Sequence, residues 1–169
     1  MTSNSAQDAF LTSLDQHRGI LFKVAYAYCR DEASREDLVQ EIVMQLWRAY
    51  PRYDGRASFS TWMYRIAVNV AISVYRSARR DAERVERTGL ARLERLAAPD
   101  AHSDENAALL REVIDGLDAL NRALMILYLD DRSYAEIADV LGITQTNVAT
   151  KINRLKERLR RTAAAQATH

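Results

Sequence analysis

The 169 residues include only two prolines and five glycines. Alanine, leucine, arginine and glutamate are abundant instead. These are good helix formers, so the composition points to an all-α protein. The single cysteine, Cys29, rules out an intramolecular disulfide and fits a reducing cytoplasm. Its neighbours Tyr26, Ala27 and Tyr28 suit a buried structural thiol. No window approaches the roughly 20 apolar residues of a membrane span, and Met1 to Asp8 carries no apolar run of a secretory signal. A cytoplasmic location without membrane insertion is expected. The chain lacks a phosphate-binding glycine-lysine loop, and His17, His102 and His169 have no metal-ligand spacing. No catalytic residue, metal or cofactor is therefore expected. Neither charge sign dominates: 24 basic residues face 23 acidic ones. Global charge neither demands nor excludes nucleic acid, and the distribution has to decide.

The length suits one ordinary domain or two very small ones. Small domains bury proportionally less surface and gain stability from a partner. A first helical stretch runs from about Asp8 to Cys29, with Phe10, Leu14, Leu21, Val24 and Tyr28 at helical spacing. Gly19 lies inside it, where it can divide in two. A second helix opens at Ser34, with Asp37 three residues on. Leu38, Val39, Ile42, Val43 and Leu46 share one face; Asp37, Gln40, Glu41, Gln45 and Arg48 share the other. Pro51 stops it. Residues Pro51 to Ser60 read as a loop around the Asp54-Gly55 turn. A third helix follows from about Thr61 to Arg79, with Met63, Ile66, Ala67, Val70 and Val74 apolar. Residues 80–105 are charged, compatible with partial helix up to Ala98, broken by Pro99, and read as a connection between two domains, 1–79 and 106–162. Residues 163–169 read as a disordered tail. The second domain shows four helical patterns: Asn106 to Leu117, Leu120 to Leu129, Tyr134 to Leu141 and Gln145 to Arg161.

The last two patterns form a helix-turn-helix. Ser133 and Glu136 make a capping box. Tyr134, Ile137, Ala138 and Leu141 face inward, Gly142 can take the left-handed turn, and Thr144 can cap the next helix. There Val148, Ile152, Leu155 and Leu159 point inward. Gln145, Thr146, Asn147, Thr150, Lys151 and Arg154 are left outward near the N-terminal half, the part of a recognition helix that meets base edges. Gln and Asn can pair with adenine, and Lys or Arg with guanine. Farther on, Lys156, Arg158, Arg160 and Arg161 suit phosphates. A plain helical hairpin with a solvated face is the alternative; the coincidence of box, glycine, inward spacing and polar tip favours DNA.

On the third helix Trp62, Arg65, Asn69, Ser73 and Arg76 share a narrow arc. Two readings fit. Trp62 finishes the core and the arginines are solvated, or the indole stacks on an unpaired base while Arg and Asn hold phosphates and base edges. Arg76, Arg79 and Arg80 extend the basic track. Tyr53, Arg56, Ser58 and Phe59 in the preceding loop tilt the balance toward nucleic acid.

These strings resemble a known family. Asp37-Leu-Val-Gln-Glu41, Leu46-Trp-Arg-Ala-Tyr-Pro-Arg-Tyr-Asp-Gly-Arg56 and Phe59-Ser-Thr-Trp-Met-Tyr-Arg-Ile-Ala-Val-Asn69 resemble region 2 of the extracytoplasmic-function (ECF) sigma factors. Ser133-Tyr-Ala-Glu-Ile-Ala-Asp-Val-Leu-Gly-Ile143 and the following helix resemble their region 4. The resemblance implies two small helical domains on a flexible linker, and a transcription initiation factor that is not an enzyme. It implies that Asp37, Gln40, Glu41 and Arg48 dock on the β′ clamp helices of core RNA polymerase. It places Tyr53, Arg56, Ser58, Trp62, Arg65, Asn69 and Arg76 at the minus-ten element of promoter DNA. Gln145, Thr146, Asn147, Thr150, Lys151 and Arg154 fall at the minus-thirty-five element, with region 4 touching the β flap. Family members are commonly sequestered by an anti-sigma factor, and a monomer is expected when no partner is bound. Two departures stand out. Thr146-Asn147 replaces a common Gly-Thr pair and Ala149 a common Lys, which puts the usual promoter consensus in doubt. A stand-alone helix-turn-helix regulator would need only the second domain and would leave the first unexplained. A DNA-cleaving enzyme would need a nucleophile or carboxylate cluster, and the acidic residues lie on ordinary solvated faces.

Overall fold

A computed structural model describes residues 2–87 and 105–168. The described residues form eight α-helices and one short 3-10 turn. They fall into two units, residues 1–74 and 75–169, with the division inside one long helix.

In the first unit the expected Asp8–Cys29 stretch is two helices, α1 (Thr2–Gln16) and α2 (Arg18–Tyr28). The break falls at His17, two residues before Gly19, where the backbone leaves helical geometry (φ −116°, ψ 13°). Helix α3 spans Glu32–Ala49. It opens two residues earlier than its Ser34 start signal suggests. Asp31 is the cap: its carboxylate accepts the Ser34 amide and the Ser34 hydroxyl, both at 2.8 Å. Those two bonds hold the Asp31 carboxyl below its ordinary pKa, the backbone bond contributing most. Arg35 then reaches back from α3, donating to the Cys29 and Arg30 carbonyls with its guanidinium 5.0 Å above the Tyr26 ring. It thereby satisfies orphan carbonyls at the end of α2 and fixes the corner between the two helices.

A 3-10 turn, Tyr50–Arg52, leads from α3 into a loop that turns at Gly55 (φ +75°). Helix α4 then runs Phe59–Arg87, 29 residues. It is longer at both ends than its apolar pattern predicts, and residues 80–87, expected in the connection, are helical. Its buried face is also rotated. Met63 and Ala67 are buried as expected, but Tyr64, Val68 and Ala71 complete the face, whereas Val74 is 40% exposed. With Phe10, Val24, Leu38, Ile42 and Leu46 they form the core of this unit.

The second unit holds α5 (Glu105–Asp115), α6 (Ala119–Leu129), α7 (Tyr134–Leu141) and α8 (Gln145–Ala167). Asp118 caps α6 through the Asn121 amide at 2.8 Å. Arg122 is buried in α6, where its guanidinium donates to the Leu117 and Asp115 carbonyls at the end of α5. A buried charge is tolerable only when bonded in this way. Ile137, Val140, Val148, Ile152 and Leu155 close the core beneath α6. Val140 takes the fully buried place; Leu141, expected there, is half-buried. Residues 163–167, expected as a disordered tail, continue α8. They are mostly alanine, which favours helix without any apolar face, and Gln166 donates to Glu112 of α5 at 3.1 Å.

Candidate nucleic-acid interface

The helix-turn-helix is built as the sequence demands. Ser133 accepts the Glu136 amide at 3.1 Å, and Glu136 accepts the Ser133 amide at 2.8 Å. These two bonds satisfy donors that a helix start otherwise leaves open. Gly142 adopts φ +68°, and its amide and that of Ile143 both bond to the Ala138 carbonyl. Thr144 caps α8 through the Asn147 amide at 3.1 Å. The turn between α7 and α8 is thus fixed at three successive points.

All six expected reading residues lie on the front half of α8. Gln145, Thr146, Asn147, Thr150 and Arg154 are exposed, and Lys151 is half-buried. Thr150 bonds back to the Thr146 carbonyl, within its own helix. The rear basic cluster is different from the expected phosphate clamp. Lys156 lies over the Tyr128 ring at 5.0 Å, Arg158 donates to the Gly116 carbonyl, and Arg161 pairs with Glu157 at 3.6 Å. The first two bind α8 to α6 and to the end of α5. Hydrophobic spacing could not have revealed this, since both partners are more than 25 residues away in sequence.

In the first unit, Trp62 settles between its two readings. The indole is half-buried against an aromatic cluster and keeps part of its surface open. Ring centres lie 4.8 Å from Tyr53, 5.3 Å from Phe59 and 6.3 Å from Tyr50. Phe10 of α1 joins the cluster through Tyr50 at 5.0 Å and Trp47 at 5.1 Å. Two of the expected loop residues are engaged internally. Tyr53 donates its hydroxyl to the Ala57 carbonyl at 2.8 Å, and Ser58 accepts the Thr61 amide at 3.2 Å, closing the first turn of α4. Arg56 is exposed and paired with Asp54 at 3.3 Å, an arrangement worth little in water. Along α4, Arg65 is half-buried, and Asn69 and Arg76 are exposed.

On α3, Asp37, Gln40 and Arg48 are exposed, and Glu41 is half-buried, accepting from Gln45 at 2.8 Å. The structure adds two residues that sequence reasoning missed on this face. Met44 is 48% exposed and Trp47 is 45% exposed, set at helical spacing between the polar positions. Their signal in the sequence was an apolar residue interrupting an otherwise polar face. Among the described residues no group of His, Cys, Asp and Glu is arranged to hold a metal ion, and no helix is long and apolar enough to cross a membrane.

Comparison with known proteins agrees with this layout. Residues 14–81 match the family model for sigma-70 region 2, and residues 107–159 match that for sigma-70 region 4. Together they cover more than two thirds of the chain. It is 28% identical over 167 residues to the ECF RNA polymerase sigma factor SigW of Bacillus subtilis, covering 92% of this chain and 89% of that protein. It is 27% identical over 161 residues to the ECF sigma factor SigK of a Mycobacterium species, covering 90% and 80%. Among solved structures, CnrH in complex with the cytosolic domain of CnrY is similar with a TM-score of 0.70 at 22% identity, covering 96% of this chain and 94% of the other. The sigma factor RpoE of Bartonella quintana, solved with the anti-sigma factor NepR, is similar with a TM-score of 0.67 at 19% identity, covering 94% and 96%. At these identities the two structures speak for the fold.

Proposed function

The chain belongs to the sigma-70 family, in its ECF group, and from that membership we propose how its surfaces divide the work of starting transcription. It is a transcription initiation factor: it binds core RNA polymerase, directs it to specific promoters and promotes melting of the DNA. The observation that carries the division of labour is the pairing of two unlike surfaces in one chain. One is an exposed polar tip on a capped recognition helix. The other is a half-open indole followed by Asn69 and Arg76 on one face of α4.

Region 2 docks on the clamp helices of the β′ subunit through α3. Met44 and Trp47 supply the apolar anchor, since buried aromatic groups dominate interface energetics. Asp37, Gln40, Glu41 and Arg48 surround it and set specificity and encounter rate. In region 4, Gln145, Thr146, Asn147, Thr150, Lys151 and Arg154 read the minus-thirty-five element in the major groove. The exposed Leu129 and Tyr134 offer the β flap an apolar contact. At the minus-ten element, Trp62 stacks on an unpaired base while Arg65, Asn69 and Arg76 hold the strand. Tyr53, Arg56 and Ser58 shape the loop that receives a flipped base. Stacking and capture offset the loss of pairing, about 1–2 kcal/mol per base-pair step. The factor itself hydrolyses nothing; the polymerase supplies the chemistry. It works in the cytoplasm, as a monomer until core polymerase or an anti-sigma factor takes it up.

The test is binding to purified core RNA polymerase, with run-off transcription on fragmented genomic DNA. Core binding with new discrete transcripts is expected. Sequence-specific DNA binding by the free protein without core binding would overturn the reading in favour of a conventional regulator.

A further inference from the structure

The loop between α3 and α4 is met at both ends by rings from the N-terminal helix. Phe10 of α1 is 2% exposed, and its ring centre lies 5.0 Å from that of Tyr50, where the loop begins. His17 lies 5.4 Å from the ring of Phe59, where the loop ends and α4 starts. The two residues are seven apart. At 100° per residue that spacing returns to nearly the same face of a helix, about 10 Å farther along. The His17 Nδ1 donates to the Ser13 carbonyl at 2.9 Å, which holds the ring at the break between α1 and α2. Phe10 lies ahead of the region 2 match, which begins at residue 14.

Within the loop the rings continue toward Trp62. Tyr50 lies 6.3 Å from Tyr53, and Tyr53 lies 5.8 Å from Phe59 and 4.8 Å from Trp62. No residue from 51 to 58 is buried. The bonds from Tyr53 to Ala57 and from Arg56 to Asp54 join only near neighbours. Aromatic pairs prefer set distances and tilts, so a shift of Tyr50 or Phe59 turns the face that Trp62 presents. We propose that Phe10 and His17 are positioning residues for strand capture: they fix the two ends of the loop and thereby the plane of the Trp62 ring. A ring held in its binding orientation loses less freedom when a base stacks on it than a mobile one does. This support therefore adds affinity for the unpaired strand without touching it. The proposal rests on the promoter-binding reading above.

The test uses preassembled holoenzyme carrying Phe10→Leu, His17→Ala or His17→Phe, and a fork template with an unpaired minus-ten strand. Phe10→Leu and His17→Ala should each weaken fork binding by about 2- to 10-fold, the range of one aromatic pair. His17→Phe keeps a ring against Phe59 and should restore most of that loss. Core affinity, measured separately, should hold, since Leu keeps apolar volume beside Trp47, the other neighbour of Phe10. On a Trp62→Leu background, Phe10→Leu should cost nothing further on the fork, because the stacking it serves is gone. Val24→Ala opens a cavity in the core of the same unit without removing a ring. It should lower stability in urea and leave fork affinity unchanged. Fork binding indifferent to Phe10 and His17 would overturn the proposal. So would additive losses with Trp62→Leu, an equal fork defect in Val24→Ala, or a parallel loss of core binding, each of which would reduce the two rings to general support of the unit. Wild-type holoenzyme that fails to bind the fork would instead refute the promoter-binding reading itself.

Discussion

Replacing Trp62 separates its place in the aromatic cluster from its proposed stacking on an unpaired base, because the two need different things from the ring. Trp62→Ala is a poor probe. The indole packs against Tyr50, Tyr53 and Phe59, and truncating a fully buried Trp costs about 3–5 kcal/mol. At half burial the loss is about 2 kcal/mol, enough to loosen the loop and α4 together. Trp62→Leu keeps apolar volume against the cluster and removes the π-face, whereas Trp62→Phe keeps both in reduced form. Stacking on a base contributes about 1–3 kcal/mol, which converts to roughly 5- to 150-fold in affinity. Holoenzyme carrying Trp62→Leu should lose that factor on a fork template with an unpaired minus-ten strand, and Trp62→Phe should lose less. Affinity for core polymerase, measured in parallel, should stay within about twofold. Permanganate reactivity of unpaired thymines in the minus-ten region should fall with the fork affinity. If core and fork binding decline together, or if the Leu and Phe variants behave alike, the indole serves only the fold and the stacking argument is wrong.

Gly142→Ala should cost region 4 about 1–2 kcal/mol in urea unfolding, the penalty of a left-handed Cβ, because an added Cβ meets nothing within 4 Å. Gly142→Asn should cost less, and equal losses would show that something other than backbone conformation is at stake. Asp31→Ala should lower stability by about 0.5–2 kcal/mol at pH 7 through loss of the α3 cap. The folded pKa of Asp31 lies below its unfolded value, so its contribution is present above about pH 4 and is lost as pH falls through the lowered folded value. The gap between wild type and variant should therefore close in acid, and a gap independent of pH would count against the carboxylate as the cap. Lys151→Ala should relax discrimination at one base pair of the minus-thirty-five element by about 1–3 kcal/mol, as read from binding to a single-substitution promoter series. An unchanged preference would remove Lys151 from the reading residues.

Where local chemistry decides an element, the sequence was legible. Helix α7 runs Tyr134–Leu141 as predicted, because a capping box opens it and a left-handed glycine closes it. Where two candidate caps lie close together, sequence alone favours the wrong one: Ser34 is a donor to Asp31, one turn into α3, not the residue that starts it. The extension of α8 is not legible, and that of α4 reads only as a partly helical connection, because the first is carried by Ala and the second by Arg, Glu and Ala, which favour helix without producing an apolar stripe. The same limit affected the candidate sites. Spacing identified the tip of α8 and the polar faces of α3 and α4. It could not pair Phe10 with Tyr50, or Arg158 with Gly116, since those contacts join distant parts of the chain. Two arginine and lysine side chains that looked like phosphate ligands are consequently part of the architecture of region 4.

That division within α8 has an evolutionary side. The rear of the helix is bolted by Lys156, Arg158 and Gln166, and its inward face by Val148, Ile152 and Leu155. The side chains at its front hold nothing else in place; Thr150 alone bonds, and only to its own helix. If these residues read the promoter as proposed, mutations at Gln145, Thr146, Asn147 or Arg154 would explore new promoters at almost no cost to folding. A duplicated copy of this gene could drift to a different set of targets by a few substitutions on one helical turn, with its attachment to the transcription machinery inherited intact.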